Sequence, residues 1–593
     1  MNCLRITVLL FVAMPFLFLR LASAQTLGNR YHTYGQMSNA LSEWASKHRS
    51  IARLESIGKT LEKRDVWVLT VGGKDAAARP AVMIVGEVEA NRIIGSELAL
   101  HFIEFLLTNY GKVDSVTQLL STTTFYVIPR VSPDAAEAFF EKPQYERTVN
   151  TRPVDTDKDG AIDEDGFEDL NNDGLITMMR VSDNRGEWIV HPDDSRLMRK
   201  ADPAKGERGT YKLYTEGVDN DKDEQWNEDG PGGVDFNHNF AHNYTYFSDG
   251  AGPHQMSEAE TRAVAEFAFS HPNIAAVFTF SSNDNLNSPW KADRLRGAQN
   301  EMTSAGQATQ DQEDQPPRFI KSVMEDDDEY FAHVAQQFQD ITKMKVAARS
   351  VKGEGAFSEW AYFHFGRWSF AAHPWWPPVV EERKDTASND TTRRGRAEGE
   401  ERRKREEKPD PLADQQKALK WIDAAGPKDA FVAWSPIKHP DFPDQTAEVG
   451  GFRPHVLTNP PADSILGLAE KFNNFLVVLG RSLASINIQN VNVERVGERI
   501  FRVRADIVNR GYFPTNSAMG VKAVWPRNVK VTMKLSKDQS LASGKAVNIL
   551  QPIRGSGGSK GMSWLVVSLG GGTIELSAES PTAGSATQTI RLK

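Results

Sequence analysis

The sequence predicts an α/β protein with a β-sandwich at its C-terminal end. Three observations carry that expectation. Apolar, β-rich runs alternate with amphipathic helical stretches over about 450 residues, the pattern of strands joined by crossover helices in a largely parallel sheet. From Ile486 to Lys593 the composition turns to Val, Ile, Thr, Gly and Ser with period-two alternation, as in a small sandwich. The 593-residue length, with 39% hydrophobic and 25% charged residues, fits one large globular domain with insertions plus that appended module.

In order, the stretch from Tyr31 to His48 spaces Met37, Leu41 and Trp44 at helical intervals. The runs from Val66 to Val71 and from Ala81 to Val85 read as strands, the second followed by Gly86 and a helix from about Ile94 to Tyr110. The run from Thr123 to Ile128 stops at Pro129, and another apolar strand is expected from Ala275 to Phe280. In the sandwich, Phe501-Arg502-Val503-Arg504-Ala505-Asp506-Ile507 alternates apolar with charged residues.

Three stretches read as insertions into a domain spanning 25–482: 150–233, 293–318 and 380–412; the sandwich occupies 486–593. The last insertion alternates blocks of both charge signs, such as Arg402-Arg403-Lys404-Arg405 between Glu400-Glu401 and Glu406-Glu407. Its acidic blocks nearly cancel the basic ones, and the net charge is −9, so nucleic acid is not an expected partner.

The first 24 residues read as a secretory signal: a short basic start, an apolar core from Ile6 to Leu19, and Ala22-Ser23-Ala24 before Gln25. No other window is apolar enough for a membrane span, so the expected location is secreted or periplasmic. Cleavage would remove Cys3, the single cysteine, so no disulfide would hold the long loops.

The 150–233 insertion offers another kind of cross-link. Asp155, Asp157, Asp159 and Asp163 alternate around Gly160; Asp169, Asn171 and Asp173 repeat the start of the pattern; Asp219, Asp221, Asp223 and Asn227 repeat most of it. Oxygen ligands at alternate positions around a tight turn suit Ca²⁺, although no repeat ends in the Glu of an EF-hand. The spelling resembles thrombospondin-type or dockerin-like calcium loops. Calcium is the expected cofactor, in a structural role.

A second resemblance covers roughly residues 28–480. The segment from Ala81 through Gly86-Glu87-Val88-Glu89-Ala90-Asn91-Arg92 to Leu98 resembles the strand–loop–helix G-x-x-H-x-x-E of zinc carboxypeptidases of the carboxypeptidase A type. Asp235-Phe236-Asn237-His238-Asn239-Phe240 is similar to that family's D-x-N-R-N-F, and Ser257-Glu258-Ala259-Glu260-Thr261 to its S-E-x-E-T. Phe278-Thr279-Phe280-Ser281 resembles the strand bearing the third zinc ligand, and the stretch from Phe357-Ser358-Glu359-Trp360 to His373 the segment ending at the catalytic glutamate. The resemblance implies a carboxypeptidase-like mixed sheet flanked by helices.

It also implies a degraded zinc centre. A catalytic zinc needs three protein ligands with lone pairs, and the corresponding positions hold Glu89, Arg92 and Ser281. Arginine has no acceptor to offer a metal. His373 stands where the family has its catalytic glutamate, Val351 where it has a tyrosine, and His238 where an arginine grips the substrate carboxylate. Asn237 is retained, and ungapped counting puts the family's other carboxylate-polarising arginine on Arg147, with Arg152 close by. A substitute metal site from His238 and His242 with His373, Glu89 or His254 is the alternative to ordinary packing of scattered histidines.

The expected function is a secreted carboxypeptidase-like protein that binds peptides or C-terminal segments without cutting them, with Arg92 paired to Glu89 where zinc would sit. The alternatives are an active metallocarboxypeptidase with unorthodox ligands, and a calcium-stabilised surface or matrix protein that docks a cell-wall or surface component through its sandwich.

Overall fold

A computed structural model describes residues 27–155, 158–227, 230, 232–293, 320–344, 350, 353–380 and 411–593. The expected signal segment, Asp157, Val351 and nearly all of the 293–318 and 380–412 insertions lie outside the described residues.

The centre is a six-stranded mixed sheet ordered Ala52–Lys59, Asp65–Val71, Thr124–Ile128, Ala81–Val85, Ile274–Phe280, Trp368–Ala372. The last four strands run parallel to one another, and the first two add an antiparallel margin. All four parallel strands are buried along their whole length, which explains why they read as unbroken apolar runs. Their side chains still alternate between two cores. Val82, Ile84, Phe125, Val127, Phe278 and Phe280 face helices Ile94–Asn109, Glu325–Thr342 and Ile465–Arg481; Met83, Val85, Tyr126, Ile128 and Val277 face helices Ala259–Ser270 and Phe357–Phe363.

Helix Tyr34–Lys47 begins three residues after the expected Tyr31, because Thr33 and Gln36 close a reciprocal capping box there. Helix Ile94–Asn109 has no cap of its own; Asn459 Oδ1 accepts from the Ile94 amide at 3.0 Å.

The 150–233 insertion holds more than the expected loops. Strands Met178–Ser182, Trp188–Val190, Met198–Lys200 and Tyr211–Thr215 join Phe431–Ile437 and Ala447–Phe452 in a second six-stranded antiparallel sheet. Met179, Val181, Phe442, Ala447 and Val449 form its small core. The acidic repeats hang from the ends of this sheet.

From Ile486 the chain builds two four-stranded antiparallel sheets around one core, with Val503, Ile507, Trp564 and Val566 from one sheet against Val531, Leu576, Ala578 and Ile590 from the other. The alternating run from Phe501 to Ile507 buries Phe501, Val503, Ala505 and Ile507. Asp327 ties the two parts together: its buried carboxylate accepts from the amides of Ala518 and Met519 at 2.8 and 3.1 Å and from the Tyr362 hydroxyl at 2.8 Å. Among the described residues, no helix is long and apolar enough to cross a membrane.

Candidate functional site

Open α/β sheets present ligands at the carboxyl ends of their parallel strands, and four singled-out residues meet there. Glu89 and Arg92 follow strand Ala81–Val85, Ser281 follows Ile274–Phe280, and His373 follows Trp368–Ala372. The turn into the Glu89 loop requires Gly86, since a Cβ there would come within 2.4 Å of the Pro129 carbonyl oxygen.

Glu89 is the hub. Its Oε1 accepts from Asn237 Nδ2 at 2.9 Å and from the Ser282 hydroxyl and amide at 2.9 and 3.0 Å, with Ser281 Oγ 2.8 Å away. Its Oε2 lies 3.1 Å from the Ser282 amide and 3.6 Å from Arg92 Nε. Arg92 Nη1 is 2.7 Å from His373 Nε2. Because arginine can only donate, that ring nitrogen must be the acceptor and the histidine neutral. Burial, reinforced by the Arg92 charge, holds His373 well below the usual histidine range. The expected Arg92–Glu89 pair therefore forms, against His373.

Asn237 is buried inside this network and is not presented to a ligand. Its Nδ2 also reaches Asn283 Oδ1 at 2.5 Å, and its Oδ1 accepts from the Phe357 amide at 3.0 Å. The preceding Asp235 takes the Asn237 amide on Oδ1 at 2.7 Å, and burial raises its carboxyl above the ordinary range against the opposing pull of His238. His238 is half-buried at the end of the short 3₁₀ turn Phe236–His238. Arg147 spends its guanidinium elsewhere, donating to the carbonyls of Val149 and Asn150 at 2.9 and 2.6 Å. Arg152 pairs with the buried Glu258 at 3.0 Å. Both arginines brace the loop that leads to the acidic insertion.

The sequence reading passed over Ser282, Asn283 and Asp284. Their signal was position alone, directly after Ser281. Asp284 Oδ2 takes the His373 amide at 3.2 Å, fixing the backbone under the imidazole. Trp376 was also missed; its ring centroid lies 5.6 Å from that of His373.

The donor set does not fit zinc. Glu89 is filled by hydrogen bonds, Arg92 offers no lone pair, Ser281 is a neutral hydroxyl already engaged, and the Nε2 lone pair of His373 points at Arg92. The substitute site does not assemble either. His242 stacks on Phe363, with ring centroids 4.0 Å apart, and His254 sits by the Gln255 carbonyl.

Among the described residues, metal-capable groups gather in two places, both in the acidic loops. Carboxylate oxygens of Asp219, Asp221 and Asp223 lie within 4.8 Å of one another, as do those of Asp159, Glu164 and Asp221. The second group joins the first and last repeats through Glu164, a residue the sequence reading omitted. Asp155 instead accepts the amides of Lys158 and Gly160 at 2.6 and 3.1 Å, and Asp163 the Gly232 amide at 3.2 Å. The middle repeat closes on itself: Asp169 accepts the amides of Asp173 and Gly174 at 3.1 and 2.7 Å, and Asn171 donates to Asp173 at 3.0 Å. Asn227 donates its amide to the buried Asp165 and its side chain to the Thr215 carbonyl at 2.9 Å.

The family model for zinc carboxypeptidases matches residues 37–373, and a second, described as a domain of unknown function (DUF8731), matches 485–591. Similar curated proteins include carboxypeptidase D of Anas platyrhynchos, 32% identical over 118 residues that make up 19% of this chain and 8% of that one. Carboxypeptidase M of Mus musculus is 34% identical over 126 residues, 21% of this chain and 28% of that one. The matches thus span under a third of these relatives' length. Among solved structures, thrombin activatable fibrinolysis inhibitor aligns with a TM-score of 0.40 at 14% identity, covering 76% of this chain and 74% of its own. Carboxypeptidase A from Helicoverpa armigera aligns with a TM-score of 0.34 at 14% identity, covering 67% and 75%. The first family match takes in more than half of the residues, so the chain belongs to the zinc carboxypeptidase family.

Proposed function

We propose that this family member has lost the zinc centre and holds the C-terminal end of a peptide or protein in the inherited cleft without hydrolysing it. The observation that carries the reading is the Arg92 guanidinium, set against Glu89 at 3.6 Å and His373 at 2.7 Å, among the residues that the resemblance aligns with the zinc ligands and the catalytic glutamate. A permanent cation bonded to the imidazole that replaces the catalytic carboxylate leaves neither a metal-activated water nor a general base. The decisive experiment measures bound zinc and release of C-terminal residues from a peptide mixture, beside the variant combining Glu89→His, Arg92→Glu, Ser281→His and His373→Glu. The parent should bind no stoichiometric zinc and release nothing, while the variant should take up zinc. Metal-dependent release by the parent would overturn the reading.

The acidic loops are proposed to hold calcium as a structural cross-link, supported by Asp221 belonging to both carboxylate groups. Export is proposed from the apolar leader, and the C-terminal sheets are proposed as a module for a surface partner.

A further inference from the structure

We infer that Arg92, besides filling the metal position, is itself the receptor for the ligand's C-terminal carboxylate; this rests on the binding function proposed above. In that proposal the cleft only has to accept a chain end. The guanidinium adds a chemical identity to what is accepted.

The argument starts from donor accounting. A guanidinium carries five N–H groups in a fixed fork. Among the described residues, the only protein atom within hydrogen-bond distance of them is His373 Nε2, at 2.7 Å from Nη1. The contact to Glu89 is an ion pair at 3.6 Å, longer than the 2.7–3.2 Å of an N–H···O bond. Glu89 does not need those donors, because Asn237, Ser281 and Ser282 already satisfy it at 2.8–3.0 Å. The remaining N–H groups of Arg92 therefore stay available, and its side chain retains 18% of its exposure. Fork-shaped donors in a partly desolvated setting select carboxylates bidentately.

The surroundings point the same way. With Nε2 accepting from Arg92, the hydrogen of His373 sits on Nδ1, which is buried and has no acceptor among the described residues. Trp376, half-buried, lies beside that imidazole and would contact the side chain next to a carboxylate held by Arg92. The arginines expected to handle a carboxylate are committed elsewhere: Arg147 to backbone carbonyls and Arg152 to Glu258. His238 stands in place of the third. Of Arg92, Arg147 and Arg152, Arg92 is the one with donors left to give.

The test uses the full chain and a set of N-acetylated tripeptides without acidic side chains, each as free acid and as C-terminal amide, with binding measured calorimetrically. The free acids should bind about 10- to 100-fold more tightly than the amides. In Arg92→Gln that ratio should fall to near one. Arg92→Lys, which keeps the charge but loses the fork, should give an intermediate ratio, and it serves alone if the Gln variant does not fold. Equal binding of acids and amides by the parent would overturn this inference while leaving the cleft-binding function intact. Loss of both ligand forms by the same factor in Arg92→Gln would overturn it too, because Arg92 would then only shape the pocket. Binding of neither form by the parent would sink the proposed function along with it.

Discussion

The cleft and the acidic loops treat carboxylates in opposite ways. In the cleft, one buried carboxylate, Glu89, is met by Asn237, Ser281, Ser282 and the Arg92 cation. In the loops, Asp219, Asp221, Asp223, Asp159 and Glu164 crowd their oxygens together, and the hydrogen bonds they accept come mainly from backbone amides such as those of Lys222, Asp223 and Gln225. A site that supplies its own cation and donors has no coordination left for a metal. A site that gathers like charges gains from a cation taken from solution. The Glu89 network is of the first kind, and the acidic insertion is proposed to be of the second.

The largest expected effect comes from removing the hub of the cleft. Glu89→Ala leaves Arg92 partly buried without its anion and strips acceptors from Asn237, Ser281 and Ser282. Breaking a buried ion pair from one side costs about 3–5 kcal/mol, so urea unfolding should show a loss of that order. A loss under 1 kcal/mol would mean that the centre is not the closed network described here. Next is cation removal from the loops. A chelator should lower the unfolding temperature, and calcium at about 100 times its Kd should restore roughly 2.7 kcal/mol. Asp221→Asn, which touches both carboxylate groups, should abolish most of that response. If calcium leaves the unfolding temperature unchanged, the contrast between the two sites fails on the loop side. Smaller again is Arg92→Met: Glu89 keeps its neutral donors, so the cost should be about 1.5–2 kcal/mol, the low end of the worth of a charged hydrogen bond.

Much of the fold was legible because it rests on local patterns. Three of the four parallel strands are apolar runs bounded by Gly86, Pro129 and polar residues, and the structure keeps them within a residue of the expected ends; the fourth, Trp368–Ala372, was legible only as part of the motif ending at His373. The second six-stranded sheet was not legible. Strands Trp188–Val190 and Met198–Lys200 are three residues each, and Met178–Ser182 pairs with Ala447–Phe452, more than 200 residues away, so no local period announces the sheet. At the site, Glu89, Arg92 and His373 were found from their places in motifs. The direction in which a side chain points is a different matter. Nothing in the spelling around Arg147 tells that its guanidinium turns to the Val149 and Asn150 carbonyls, or that Asn237 serves Glu89 rather than a ligand.

The smallest effect at neutral pH, and the sharpest probe of the cleft side of the contrast, concerns protonation of His373. Its folded-state pKa is depressed, first by burial and then by Arg92. Below the ordinary value near 6.5 the unfolded chain takes up a proton there that the native protein refuses, so stability falls as pH drops through that value. Other groups act on the whole protein at once. His242, depressed to about 3, has the same sign, whereas Glu260 and Glu359, raised to about 7 by burial, favour the native state as pH falls from 7. The readout is therefore the difference between the parent and His373→Gln. The glutamine carbonyl can still accept from Arg92, so at pH 7.5 the two should agree within about 1 kcal/mol. At pH 5 the variant should gain on the parent, because it has no proton to refuse. A difference that stays constant from pH 7.5 to 5 would mean that the imidazole can accept a proton in the folded protein, which Arg92 bonded to Nε2 forbids.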